Sequence, residues 1–249
     1  MCTLVELLNN FRAAVADTYQ ATGGNPELVP MALSQACVEV LPIAGAGISL
    51  TDELRVPLAA SDAVAARAER LQTTLGEGPC LTAAATATPL VADLPTIAAS
   101  WPVFHHQLIK QTPYRSVVSI PLLARNGVTR LGALDLYLVM REAAPHFFVS
   151  QVTRAIASPI STVLFDHHAF GARPNPLPPW LNSAAVTRRM HVWVAVGILI
   201  EHADVGNEDA LAALRAYAWA HDETIDDTAD RLMARQLSPQ EVMSMHASA

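Results

Sequence analysis

In the stretch LGEGPC, Leu75 to Cys80, two glycines flank a glutamate and a proline delivers a cysteine to the start of an alanine-rich apolar segment. A thiol at a helix N-terminus can have its pKa lowered by the helix dipole, and a glycine-rich turn can cradle phosphate. The residue types therefore admit a reactive thiol, an anion site or only a tight turn. A nucleotide-cleaving phosphate loop is excluded, because it needs a lysine and a hydroxyl after its second glycine, where this chain has Pro79 and Cys80. Three roles stay open for Cys80: structural, redox or ligand sensing, and catalysis.

The remaining reactive side chains are scattered. Cys2, Cys37 and Cys80 are widely spaced, with no CxxC pair and no histidine at ligand spacing, which reads as a reduced, cytoplasmic protein without a metal centre. His105-His106 and His167-His168 are adjacent pairs; neighbours on a helix point in different directions, so neither pair makes a metal clamp. Asp135 sits inside the apolar run LGALDLYLV and by strand alternation faces away from Leu134 and Leu136, toward either a pocket or a solvated face. Trp101 and Phe104 read as core or as a ligand cage.

These groups belong to a chain of 249 residues, 51% hydrophobic and 16% charged, enough for one or two domains with a substantial core. A net charge of -7 gives no bulk attraction to nucleic acid or to an anionic membrane, so any such contact needs a local basic cluster. The longest apolar run, Val192 to Ile200, is nine residues, well short of the roughly 20 that span a bilayer. The acidic, short-patterned N-terminus lacks the features of a signal peptide. Lys110 is the only lysine.

The elements that must position these residues follow from period and punctuation. Leu4, Leu8, Phe11, Val15 and Thr18 form the seam of an amphipathic helix over 1–24, lying on its own domain or pairing with a second copy. Asn25 and Pro26 open a second helix running to about Leu41, with Cys37 as a buried small hydrophobe. Five β-patterned runs follow: Ala44 to Asp52, Arg55 to Asp62, Pro89 to Leu94, Ser116 to Val128 and Arg130 to Val139. Helical stretches over 63–75, 80–87 and 101–111 lie between them, and Asn126-Gly127 signals a hairpin. The pattern predicts an α+β domain around an antiparallel sheet. Phe147 to Phe165 reads as a closing helix that Pro159 kinks or restarts. A proline-dense linker over 169–183 precedes three or four helices, with capping signals at Asn207, Thr224–Asp227 and Ser238–Glu241. By periodicity alone VWVAVGILI fits a buried strand as well as a helix.

The run LQTTLGEGPCLTAAATATPLVADL, with SWPVF, SVVSIPLL and LGALDLY, resembles the GAF sensor domain that bacteria join to a C-terminal ANTAR domain. The stretch AVGILIEHADVGNEDALAALRAYAWAHDETIDDTADRL resembles ANTAR itself, through Ala195, Gly197, Ile198, Leu199, Ala210, Leu214-Arg215, Ala218, Asp227 and Ala229. The resemblance implies a GAF domain over 25–168, an all-α ANTAR unit over 184–249, and a helical VWVAVGILI. It implies that GEGPC is a turn of the sensor fold, with Cys80, Asp93, Trp101, Phe104 and Asp135 as the ligand-sensing candidates. No haem motif, metal cluster or nucleotide contact identifies a cofactor, and the signal is unnamed.

The implied function is transcription antitermination: a dimer of ANTAR units grips paired hairpins in nascent RNA, and the GAF domain, sensing a small molecule or redox change, shifts that dimer equilibrium. Candidate RNA contacts are Arg188, Arg189 and Arg215, with Ala195, Gly197 and Ala218 permitting close approach; a salt bridge from Arg215 to Glu208 or Asp209 and simple helix packing are the plain alternatives. One departure matters. Val196 stands where the family has lysine, and from Ser183 onward five basic residues face ten acidic ones. A sensor whose helices bind a protein partner is therefore an alternative, and a GAF-type thiol reductase a further one, although Cys80 has no evident resolving partner.

Overall fold

The computed structural model describes residues 3–50, 55–140, 146–165 and 178–246. Helix α1 (Leu4–Ala21) opens on a reciprocal cap in which Thr3 and Glu6 satisfy each other's backbone N–H groups. Its seam, Leu7, Phe11, Ala14 and Thr18, is buried against α2 (Val29–Val40), so the apolar stripe is spent within the chain. A 3-10 turn (Pro26–Leu28) capped by Asn25 precedes α2, and Cys37 is buried within that helix.

The sheet comprises β1 (Gly45–Leu50), β2 (Val56–Ala60), β3 (Leu90–Asp93), β4 (Ser116–Leu123) and β5 (Arg130–Leu138), in the order β2-β1-β5-β4-β3, every neighbour antiparallel. Alternation divides it. Ile48, Val118, Ile120, Leu134 and Leu136 face α1, α2 and the closing helices, whereas Val117, Asp135 and Tyr137 face α3 (Ala63–Leu75), α4 (Pro79–Thr86) and α6 (Pro102–Gln111). A short α5 (Leu94–Ser100), unforeseen from the sequence, follows β3 directly.

One local expectation needs correcting and another is met. The β4–β5 connection is not a two-residue turn: Ala124 N–H bonds to Thr129 O, and of Asn126-Gly127 only Gly127 has positive φ, at 68°. Asn126 instead turns its side-chain oxygen onto the N–H groups of Val128 and Thr129. The closing helix restarts at Pro159, one of the two outcomes expected. A π turn (Thr153–Ala157) joins α7 (His146–Val152) to α8 (Ser158–Phe165), placing the proline in the first turn of α8, where its missing N–H matters least.

Most of the proposed linker, and His167-His168, lie outside the described residues. Its end, Pro179–Asn182, is a 3-10 turn whose Trp180 is buried, donates Nε1–H to Leu164 O at 3.2 Å and packs edge-on against Phe165. That portion is docked to the sheet domain's core and is not a free spacer.

The C-terminal stretch is helical: α9 (Ala184–Ala203), α10 (Asn207–Ala220), α11 (Ile225–Met233) and α12 (Pro239–His246), around Val192, Ala195, Leu199, Leu214, Ile225 and Leu232. VWVAVGILI is thus helix. Thr224–Asp227 and Ser238–Glu241 form the expected capping boxes, whereas Gly206, one residue before Asn207, holds the N-cap position of α10. α9 lies against β2, and α10 against α3. No described helix is long and apolar enough to cross a membrane.

Candidate functional site

The sheet face beneath α3 holds a buried cluster of charged and polar side chains. The inward face of α3 reads Ala65, Ala68, Glu69, Gln72 and Thr73, so helical spacing carries a carboxylate and an amide into the interior. The facing positions of β1 are Gly45 and Gly47. A Cβ on Gly47 would sit 2.2 Å from Glu69 Oε1 and one on Gly45 would sit 2.3 Å from Tyr114 Oη, so only a bare strand admits these side chains.

Arg55, just before β2, supplies the cation. Its Nη1 donates to Glu69 O and Thr73 Oγ1, both at 2.7 Å, while Nη2 pairs with Glu69 Oε2 and lies 3.3 Å from Asp135 Oδ2. Asp135 also accepts from Gln72 Nε2 at 2.7 Å and Ser119 Oγ at 2.5 Å. Tyr137 donates its hydroxyl to Glu69 Oε1 at 2.6 Å, and Tyr114 stacks on it at 4.8 Å. Ser49 Oγ, Arg55 Nε and Tyr114 Oη are buried there without a hydrogen-bond partner.

Two carboxylates share one guanidinium, and the field shows in their chemistry. Burial, opposed by Arg55 and reinforced by Asp135, pushes the Glu69 carboxyl up to about 7. Burial likewise raises the Cys80 thiol well above its ordinary value, which outweighs any lowering at the helix N-terminus and makes it a poor nucleophile.

The turn LGEGPC serves this cluster. Gly76 ends α3 at φ 70°, and Gly78, at φ 140°, brings the backbone so close to Gln72 that a Cβ would lie 2.4 Å from Oε1. Cys80 N–H then bonds to that Oε1 at 3.1 Å, and Glu77 accepts from Phe104 N–H at 3.1 Å in the first turn of α6. It is a structural turn that locks three helices to one another.

Of the sensing candidates, Cys80 and Asp135 meet through Gln72. Asp135 is therefore neither solvated nor open to a cleft; it is sealed in the cluster. The other three are elsewhere. Asp93 is the N-cap of α5, accepting from Thr96 N–H at 3.0 Å; Phe104 is buried core; Trp101 is half-buried against that same core. Arg55, Glu69, Gln72, Ser119 and Tyr137 escaped the sequence reading, although the AGAG of β1 and the spacing of Glu69 and Gln72 behind Ala65 and Ala68 carried the signal.

The cluster connects directly to the C-terminal helices. Arg189 Nε donates to the carbonyl oxygen of Arg55 at 2.9 Å and Nη1 pairs with Asp226 at 3.0 Å, all of it buried. Ile225 N–H bonds to Thr74 Oγ1 at 3.4 Å, and Arg215 lies across Gly76, where a Cβ would come within 2.6 Å of its guanidinium carbon. A groove of about 190 Å³ at this junction, lined by Pro57, Glu69, Arg70, Arg188 and Asp226 among others, reaches Glu69 from outside.

The RNA candidates fare unevenly. Arg189 is sealed and not free to meet a phosphate, whereas Arg215 is half-buried beside Gly76 with its Nε unpartnered, and the alternative of an ion pair to Glu208 or Asp209 is not formed. Ala195 and Ala218 are core residues, the plain alternative of helix packing. Val196 is 1% exposed and packs in the same core. Gly197 is exposed with open space around it, and Arg188 is exposed but engaged with Asp227 and, at 2.8 Å, Asp230. His105 and His106 point apart, one half-buried and one exposed, and no group of three metal-ligating side chains occurs among the described residues.

No family profile matches the chain, and no curated protein does. Among solved structures it is similar to the GAF domain of a phosphoenolpyruvate-protein phosphotransferase from Coxiella burnetii, at 17% identity over 67% of this chain and 99% of that one, with a TM-score of 0.48. The corresponding Acinetobacter domain gives 14% identity over 67% of this chain and 97% of that one, TM-score 0.44. The phycoerythrobilin-bound GAF domain of a cyanobacterial phytochrome gives 11% over 68% and 99%, TM-score 0.40. Likeness this loose transfers no residue roles; those rest on the geometry above.

Proposed function

We propose that this chain is a signal-responsive transcription antitermination regulator, with a GAF-type sensor domain followed by ANTAR-type RNA-binding helices that act as a homodimer on paired hairpins. The observation that carries the reading is the buried link from the sensor's charge cluster to the helical unit: Arg189 bonds the Arg55 carbonyl with one nitrogen and Asp226 with another. Anything that moves Arg55 moves the anchor of α9 and α11, which is the connection a sensor needs to bias its output. The raised thiol of Cys80 favours a small molecule over a redox signal and speaks against thiol reductase chemistry; the reading is of a cytoplasmic protein that is not an enzyme.

The test is binding of the full chain to a two-hairpin RNA from its own operon leader, against a loop-scrambled control, across a salt series. Loop-dependent binding that weakens with salt is expected. A protein-binding output is the second reading, favoured by the burial of Arg189 inside the chain and by Val196; absence of RNA binding at low salt by folded protein would select it.

A further inference from the structure

Beside the junction runs a second groove, about 360 Å³, within the range of small-ligand clefts, roughly 300–1,000 Å³. Its sensor wall carries Arg67 and Arg70, one turn apart on α3, and Lys110 near the end of α6; its other wall carries Trp219 of α10. None of the three cations makes a hydrogen bond or ion pair with a described residue, unlike Arg188 and Arg231 nearby, which are both paired with carboxylates. Burial and the neighbouring Arg67 lower the pKa of Arg70, against the opposing pull of Asp227 and Asp226 on α11. Trp219 is 43% exposed, an indole standing in water at the edge of a basic cleft. Asp222 and Glu223 also line the groove, but Glu223 is committed to Arg231 and Thr228, and Asp222 is exposed.

We propose that this groove is a nucleotide subsite for single-stranded RNA: an unstacked loop base lies on Trp219 while Arg67, Arg70 and Lys110 hold its flanking phosphates. The RNA-binding surface is then composite. The sensor domain supplies the positive charge that the acidic C-terminal helices lack, and an aromatic face beside a cationic track is what single-strand recognition requires. The proposal rests on the RNA-binding reading above and goes past it, because it places phosphate contacts on a domain to which that reading gives only sensing.

The experiment measures affinity and salt dependence of the full-length protein for the two-hairpin RNA. Arg67→Gln and Lys110→Gln alter exposed side chains and leave the fold intact, which circular dichroism verifies; each should weaken binding severalfold and flatten the log Kd against log salt slope by nearly one phosphate, about 0.7–0.9. Trp219→Leu should lose about tenfold, with Trp219→Phe recovering most of it, because stacking needs a π face. Wild-type RNA binding with all four variants indistinguishable from wild type would overturn the composite surface while leaving the functional reading standing. No RNA binding by the wild type would overturn both.

Discussion

Glu69 and Asp135 face a single guanidinium, so one negative charge in the buried cluster lacks a full counter-charge and the fold favours a proton on Glu69. Its carboxyl, raised from an ordinary 4.5 to about 7, then has a definite effect on stability. Below 4.5 the side chain is protonated in folded and unfolded chains alike, and no penalty arises. As pH rises from 4.5 to about 7 the unfolded chain releases its proton while the folded one retains it, so stability falls, and above 7 the whole penalty is present. Glu69→Gln, which keeps the shape and removes the titration, is expected to raise Tm relative to wild type at pH 8 by several degrees, the gap closing as pH falls to 5. Thermal melts of both proteins from pH 5 to 8 check this; a gap independent of pH would mean that Glu69 does not carry the proton. Much of this residue's placement is legible in the sequence, since Ala65, Ala68, Glu69 and Gln72 keep helical spacing. Arg55 is not, because its burial depends on partners 80 positions along the chain, at Asp135, and 134 along it, at Arg189, which no local pattern encodes.

At the scale of elements, the C-terminus of α3 carries two duties at one glycine. Gly76 closes the helix in the left-handed region at φ 70°, and its missing side chain makes room for the guanidinium of Arg215 from α10. Gly76→Ala therefore combines backbone strain with a 2.6 Å approach to the guanidinium end of Arg215, which its flexible side chain relieves in part by shifting. A destabilisation of about 1–3 kcal/mol is expected. Gly76→Ala with Arg215→Ala should recover the steric part and leave the backbone part of about 1 kcal/mol. Urea denaturation of the two variants separates these contributions, and equal losses in both would remove Arg215 from the account. Elements of this kind divide into those with local signals and those without. The capping boxes at Thr224 and Ser238 are written in adjacent residues and appear as read. α5 is invisible because its seven residues are too few to show a period, and the acid assigned there to ligand sensing, Asp93, is its cap. VWVAVGILI needed more than its own composition, since its exposed and half-buried positions (Trp193, Val194, Gly197, Ile198) are as apolar as the buried stripe Val192, Ala195, Val196 and Leu199, so no polar face marks the period; its helical form follows from packing against α10 and α11.

For the whole molecule, the decisive residue is Arg189, because it pairs with Asp226 to tie α9 to α11 and donates from Nε to the carbonyl of Arg55, just before β2. Buried ion pairs add little net stability, yet removing one partner leaves the other charge stranded at a cost of about 3–5 kcal/mol. Arg189→Ala should therefore do more than lower stability: it should loosen the junction. The expected signature is faster amide hydrogen exchange in α9, α11 and β2 together, while β4 and β5, at the centre of the sheet domain, stay protected. The double variant Arg189→Met with Asp226→Leu keeps an apolar junction and strands no charge. If the pair serves only stability, this variant matches wild type in exchange and in every response to signal. If the chain binds RNA as proposed and Arg189 carries information from the buried cluster, the double variant is as stable as wild type, yet its RNA affinity no longer follows that cluster, because the bond from Arg189 to the Arg55 carbonyl is gone. The charge substitution Glu69→Gln serves as a stand-in for the signal, since it changes the field around Arg55 without an identified ligand. It should change RNA affinity in the wild-type background and leave it unchanged in the Met–Leu background; an equal change in both would show that the cluster reaches the helices by another route.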